Sequence, residues 1–144
     1  MSFPFSVLLV EDQPTTALVA RRVLEQIGFA GVEHASEGEA VLSILENENF
    51  GLVLSDLHMK PMGGLALLRA MRADPRLRQV RFIVTSVDWS AEAIMQAKEA
   101  GADAYLLKPF NARILSARIN AIMRPGISHA DWTPSSELLE PAMS

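Results

Sequence analysis

Short apolar runs recur along this chain, and each stops at polar residues of a distinct kind. Val7-Leu8-Leu9-Val10 stops at Glu11-Asp12, Leu52-Val53-Leu54-Ser55 at Asp56, Phe82-Ile83-Val84 at Thr85-Ser86, and Ala104-Tyr105-Leu106-Leu107 at Lys108-Pro109. Near-continuous apolar runs of this length are how strands read when a parallel sheet is covered on both faces. A shorter strand is expected near Val32–Ala35. Between the runs, apolar residues return every three or four positions, the period of a helix with one buried stripe. Ala20, Val23, Leu24 and Ile27 make such a stripe, as do Val41, Ile44 and Leu45, then Leu67, Leu68 and Met71, and finally Leu115, Ile119 and Ile122. Strand and helix alternate five times along the sequence, the pattern of an α/β fold with a doubly wound parallel sheet and helices on both faces.

The punctuation residues place the helix ends. Pro14 suits a first turn and Gly28 a C-terminal cap, so the first helix runs from about Pro14 to Ile27. Ser36-Glu37-Gly38-Glu39 reads as a capping box in which Ser36 and Glu39 each bond the other's free amide. The third helix spans Gly64 to Arg72 and breaks at Asp74-Pro75. Ser90 opens the fourth and Gly101 stops it, while the fifth runs from about Asn111 to Met123. One domain over residues 1–124 is expected, followed by a flexible tail over 125–144 in which Trp132, Leu138 and Leu139 are the apolar residues available to a partner.

Composition narrows the function classes. A net charge of −4 and a pI near 5.3 argue against nucleic-acid binding. The chain has no cysteine, which removes disulfides and thiolate metal sites. Neither a signal peptide nor an apolar stretch of about 20 residues is present, so a cytoplasmic protein with no membrane partner is expected.

The polar residues at the strand ends carry the chemistry. In an open α/β sheet, ligands gather at the carboxyl ends of the strands. Glu11, Asp12, Asp56, Thr85 and Lys108 would therefore share one cleft. Each has a bland reading alone: a solvated turn, a strand-end acid, a good strand residue, a snorkelling lysine. Together, three carboxylates repel one another unless a cation sits among them, and a hard divalent ion with oxygen ligands, Mg²⁺ or Mn²⁺, meets that need. Lys108 is suited to a phosphate or an acidic neighbour, Thr85 offers a hydroxyl, and Ser86 is small enough to leave room above the acid.

The same segments resemble the receiver domain of two-component response regulators. Leu8-Leu9-Val10-Glu11-Asp12, Val53-Leu54-Ser55-Asp56-Leu57-His58-Met59, Ile83-Val84-Thr85-Ser86 and Ala100-Gly101-Ala102-Asp103-Ala104-Tyr105-Leu106-Leu107-Lys108-Pro109-Phe110 match that family in order and spacing over roughly residues 5–124. The resemblance implies a flavodoxin-like fold with strand order 2-1-3-4-5. It implies Asp56 as phosphoacceptor from a histidine kinase, and Asp12, Asp56, the backbone carbonyl of His58 and, through water, Glu11 as the Mg²⁺ set. Thr85 and Lys108 would hold the phosphoryl oxygens, Tyr105 would be the inward-packing switch aromatic, and Lys108-Pro109 would be cis. The implied role is a phosphoacceptor with self-catalysed chemistry rather than an enzyme. Its partners would be a sensor histidine kinase or a histidine phosphotransfer protein, and a protein docking on the face of helix four, strand five and helix five.

Some features modify that picture. Proline stands one place late in Met59-Lys60-Pro61-Met62-Gly63-Gly64. His58 and Val87, each two places past a site residue, occupy positions that in the family tune phosphoryl lifetime, and His58 is expected as an exposed side chain at the pocket rim. Trp89 is either an anchor at the start of helix four or part of a partner surface. No output domain is expected after helix five. Ile94-Met95-Gln96-Ala97-Lys98-Glu99-Ala100-Gly101 and Lys108-Pro109-Phe110-Asn111 resemble chemotaxis-type receivers, so a stand-alone signalling receiver is the leading reading. A phosphorelay shuttle or phosphate sink and a phosphorylation-independent adaptor are the alternatives. A dehalogenase-type phosphohydrolase would need an acid where His58 stands.

Overall fold

The computed structural model describes residues 5–59, 62–88 and 90–123. Five strands alternate with five helices: β1 (Val7–Val10), α1 (Pro14–Gln26), β2 (Val32–Ala35), α2 (Gly38–Asn47), β3 (Leu52–Asp56), α3 (Gly64–Ala73), β4 (Arg81–Ser86), α4 (Ala91–Ala100), β5 (Ala104–Leu107) and α5 (Ala112–Ile122). All strand pairs are parallel and the sheet order is β2-β1-β3-β4-β5, the flavodoxin-like order expected.

The apolar strands are buried on both faces because each feeds two cores. Side chains alternate sides along a strand. Val7, Leu9, Leu52, Leu54, Ile83, Ala104 and Leu106 pack under α1 and α5 with Leu24, Leu115 and Ile119. Leu8, Val10, Val53, Phe82, Val84, Tyr105 and Leu107 pack under α2, α3 and α4 with Val41, Leu67, Met71 and Ile94. The order in which strands are added reverses at β1, which lies between β2 and β3, so a cleft opens at the strand ends there.

Helix ends follow the sequence with one correction. The Ser36–Glu39 capping box is replaced by Glu37, whose carboxylate accepts from the Ala40 amide at 2.8 Å. The backbone stays extended through Glu37 (φ −162°, ψ 164°), so the helix starts one residue later and Glu37 takes the cap position. Ser90 and Asn111 cap α4 and α5 by accepting from Ala93 and Ile114. Gly101 ends α4 at φ +104°, a left-handed conformation that costs a side chain dearly.

Away from the cleft, Asp103 ties three elements together. Its buried carboxylate accepts from Arg72 at 3.1 Å, Arg81 at 3.0 Å and the Phe82 amide at 2.8 Å. Arg72 also donates to the carbonyls of Gly101 and Val80. The end of α3 and the starts of β4 and β5 are thereby locked in register. Trp89, the Lys60 and Pro61 positions, and the tail with Trp132, Leu138 and Leu139 lie outside the described residues.

Candidate functional site

Glu11, Asp12 and Asp56 converge at the ends of β1 and β3, with one carboxylate oxygen from each within 4.8 Å of the other two. Lys108, just past β5, reaches across the sheet edge. Its ammonium donates to Glu11 Oε1 at 2.7 Å and to Asp56 Oδ1 at 3.1 Å. Glu11 is 3% exposed, while the Asp56 side chain is 12% exposed and so open to a reactant. Thr85 lies directly opposite Asp56 in the β3–β4 register and is buried. The Lys108–Pro109 peptide is cis, as the family resemblance implied. The structure thus brings together every acid, the hydroxyl and the lysine expected in the cleft.

The electrostatics favour a charged lysine. Burial alone would push the Lys108 ammonium toward neutrality, but its hydrogen bond to Glu11 and the charge of Asp56 outweigh that and hold its pKa above the ordinary lysine value. One ammonium against three carboxylates leaves a surplus of negative charge on oxygen ligands. Part-buried carboxylates in this number and spacing fit a hard divalent cation.

Close backbone approach keeps the acid in place. A methyl group on Gly64, the first residue of α3, would collide with the backbone carbonyl of Asp56, so only glycine lets α3 begin so near the strand end. Glu11 is held by its backbone as well: its amide donates to Ala35 at 3.1 Å and its carbonyl accepts from His34 Nε2 at 2.8 Å.

Tyr105 faces the opposite side of the sheet, 1% exposed, with its hydroxyl donating to the Asp88 carbonyl at 2.9 Å. Asp88 is a junction that sequence reasoning did not single out. Its amide donates to Ser86 Oγ, its carboxylate accepts from the Ser90 amide, and it stands 3.6 Å from His58 Nε2. The Ser90 contacts hold its carboxyl below the ordinary aspartate range, with the neighbouring His58 side chain adding to the effect. Ser86, expected only to leave space, is fully buried and holds this loop. The His58 side chain is 66% exposed at the rim, as anticipated.

A cavity of about 380 Å³ adjoins the acids, walled by Thr15, Val19 and Ala20 of α1 and by Val87, Pro109 and Phe110. The α1 wall was also missed. Its signal was Val19, an apolar residue off the helix's buried stripe and 56% exposed.

Among known proteins, the chain is 33% identical over 116 residues to the chemotaxis protein CheY of Pseudomonas aeruginosa, covering 81% of this chain and 94% of that one. The chemotaxis response regulator CheY4 of Vibrio cholerae superposes with a TM-score of 0.75 at 25% identity, over 82% of this chain and 98% of that one. A CheY-like receiver domain protein from Methanospirillum hungatei JF-1 gives 0.72 at 31% identity, over 81% and 90%. The family profile for the response regulator receiver domain matches residues 7–120, the span that carries every residue of the cleft and all of both cores but Ile122 among their buried members, and the chain therefore belongs to the response regulator receiver domain family.

Proposed function

We propose that Asp56 accepts a phosphoryl group from a histidine kinase in a Mg²⁺-dependent reaction, and that the modified chain signals to a partner protein through α4, β5 and α5. The observation that carries this is the convergence of Glu11, Asp12 and Asp56 with Lys108 bridging two of them. Asp12, Asp56, the His58 backbone carbonyl and, through water, Glu11 are the proposed metal-holding groups; Mn²⁺ would serve as well. A divalent ion bound there supplies charge neutralisation for the transferring group.

The chain's own residues do the rest. An Asp56 carboxylate oxygen attacks phosphorus as the phosphorus–nitrogen bond to the donor histidine breaks, and the bond's electron pair leaves with the imidazole. Such a transfer needs alignment and charge stabilisation more than covalent help. Lys108 exchanges its carboxylate hydrogen bond for a phosphoryl oxygen, and the Thr85 hydroxyl donates to another. The acyl phosphate adds charge and acceptor oxygens at one point, which draws Thr85 and biases the Tyr105 side of the sheet. Tyr105, bonded to the Asp88 carbonyl ahead of α4, is the proposed link to the signalling face. The similarity to CheY proteins supports a chemotaxis-type output.

Incubation with acetyl phosphate, with and without Mg²⁺, tests the proposal on the native chain and Asp56→Asn. Metal-dependent labelling confined to the native chain is expected. A folded native chain that takes no label from acetyl phosphate or from a phosphorylated kinase would sink it.

A further inference from the structure

We infer that His34, on the edge strand β2, is a positioning residue for the acid pair Glu11-Asp12 and raises the affinity of the cleft for a divalent cation. The inference rests on the proposed metal-dependent reading of that cleft. A carbonyl oxygen only accepts, so the 2.8 Å contact between His34 Nε2 and the Glu11 carbonyl means that Nε2 carries a proton and donates it.

That carbonyl belongs to the peptide linking Glu11 to Asp12. In a parallel pair, a strand's amides and carbonyls alternate in bonding the neighbour. Here the Glu11 amide still bonds the Ala35 carbonyl at 3.1 Å, which is the last backbone rung on this side. β2 ends at Ala35, and Glu37 has already turned its carboxylate to cap α2. The Glu11 carbonyl is therefore held by a side chain reaching up from one position before the strand's end. Because the ring restrains the plane of the Glu11–Asp12 peptide, it narrows the range of directions in which the Asp12 side chain leaves the backbone.

The other anchors of Glu11 do not duplicate this. Lys108 and the Gln13 amide hold its carboxylate, at 2.7 Å and 3.2 Å, and the Ala35 carbonyl holds its amide. The Gln13 contact spans the Glu11–Asp12 peptide only through the rotatable Glu11 side chain, whereas His34 bonds that peptide's carbonyl directly. His34 itself is exposed on the edge strand, pairs with Leu9 in the ladder, and contributes nothing to either apolar cluster. Its removal should therefore leave the cores untouched.

Partners that orient metal ligands from outside typically change metal affinity by about 10–100-fold; a contact to a ligand's backbone belongs at the low end. For His34→Ala we expect the Mg²⁺ dissociation constant, measured by titration calorimetry, to rise about tenfold. Labelling from acetyl phosphate should need correspondingly more Mg²⁺ yet reach the native rate at saturation, and the urea midpoint should stay near native. His34→Gln, which keeps an amide donor, should recover most of the affinity. In the metal-free chain, the Asp12 and Gln13 amide resonances should shift in His34→Ala and return toward native in His34→Gln. Unchanged Mg²⁺ affinity in His34→Ala overturns the inference while leaving the phosphoacceptor reading intact. A labelling defect that saturating Mg²⁺ does not repair also overturns it, since aiming a ligand is then not the role. A native chain that binds no Mg²⁺ overturns both readings together.

Discussion

Replacing Lys108 by methionine isolates what holds the acid cluster together. The variant keeps an apolar stem of similar length and removes the ammonium that bonds Glu11 at 2.7 Å and Asp56 at 3.1 Å. Hydrogen bonds to charged groups contribute about 1.5–3 kcal/mol each, so the two together set a ceiling of about 6 kcal/mol. The net loss is smaller, because the lysine no longer has to be desolvated and Asp56 can draw on water at the rim. Glu11 has no such recourse at 3% exposure, and one charged hydrogen bond left unreplaced there gives about 2 kcal/mol of lost stability at neutral pH.

The pH dependence of that loss identifies its cause. The Lys108 pKa is raised in the folded chain: burial lowers it, but Glu11 and Asp56 outweigh burial. A raised folded-state pKa gives stability that is complete below the unfolded value of about 10.4 and is lost as pH climbs through the folded value. Urea unfolding from about pH 7 to about pH 11 should show the native chain falling toward the variant only at the alkaline end. Tyr105 titrates in the same window, its phenol pushed up chiefly by burial against an opposing Ser86 contact. The comparison is therefore made in a Tyr105→Phe background. Added Mg²⁺ should stabilise Lys108→Met more than the native chain. A variant as stable as the native chain at pH 7, or a gap that persists unchanged to pH 11, would refute this account of the cluster.

Asp103→Ala strips two arginines of a buried carboxylate and should cost about 3–5 kcal/mol in urea unfolding, with labelling of the protein that remains folded unaffected. Gly64→Ala forces α3 away from the Asp56 carbonyl and should lower both stability, by about 1–3 kcal/mol, and the rate of labelling from acetyl phosphate. Tyr105→Phe removes the bond to the Asp88 carbonyl and should cost about 0.5–1.5 kcal/mol. Its labelling rate should stay near native, while amide shifts in α4 on phosphorylation shrink.

Legibility in the sequence divides along a physical line. The strands and the cleft could be read because a near-continuous apolar run and the polar residue that ends it are properties of single segments. What escaped depends on pairs of segments whose meeting no local pattern announces: the Asp88 junction, the Arg72–Asp103–Arg81 lock and the His34 contact. The Ser36–Glu39 box failed for a related reason: serine is the better cap by type, but the extended backbone runs on through Glu37 and gives that residue the position. The cleft itself follows from the cores. Glu11, Asp56, Thr85 and Lys108 each stand two residues beyond Leu9, Leu54, Ile83 and Leu106, all of which pack under α1 and α5. They therefore continue the same face of the sheet past its edge. Tyr105 alternates with Leu106 and falls on the α4 face with Val84 and Leu107. A one-residue slip of β3 would turn Leu52 and Leu54 into the wrong core and Asp56 away from Lys108 in one move. The apolar packing that fixes the register thus also places Asp56, the proposed phosphoacceptor, and it sets the acid cleft and Tyr105 on opposite faces of one sheet.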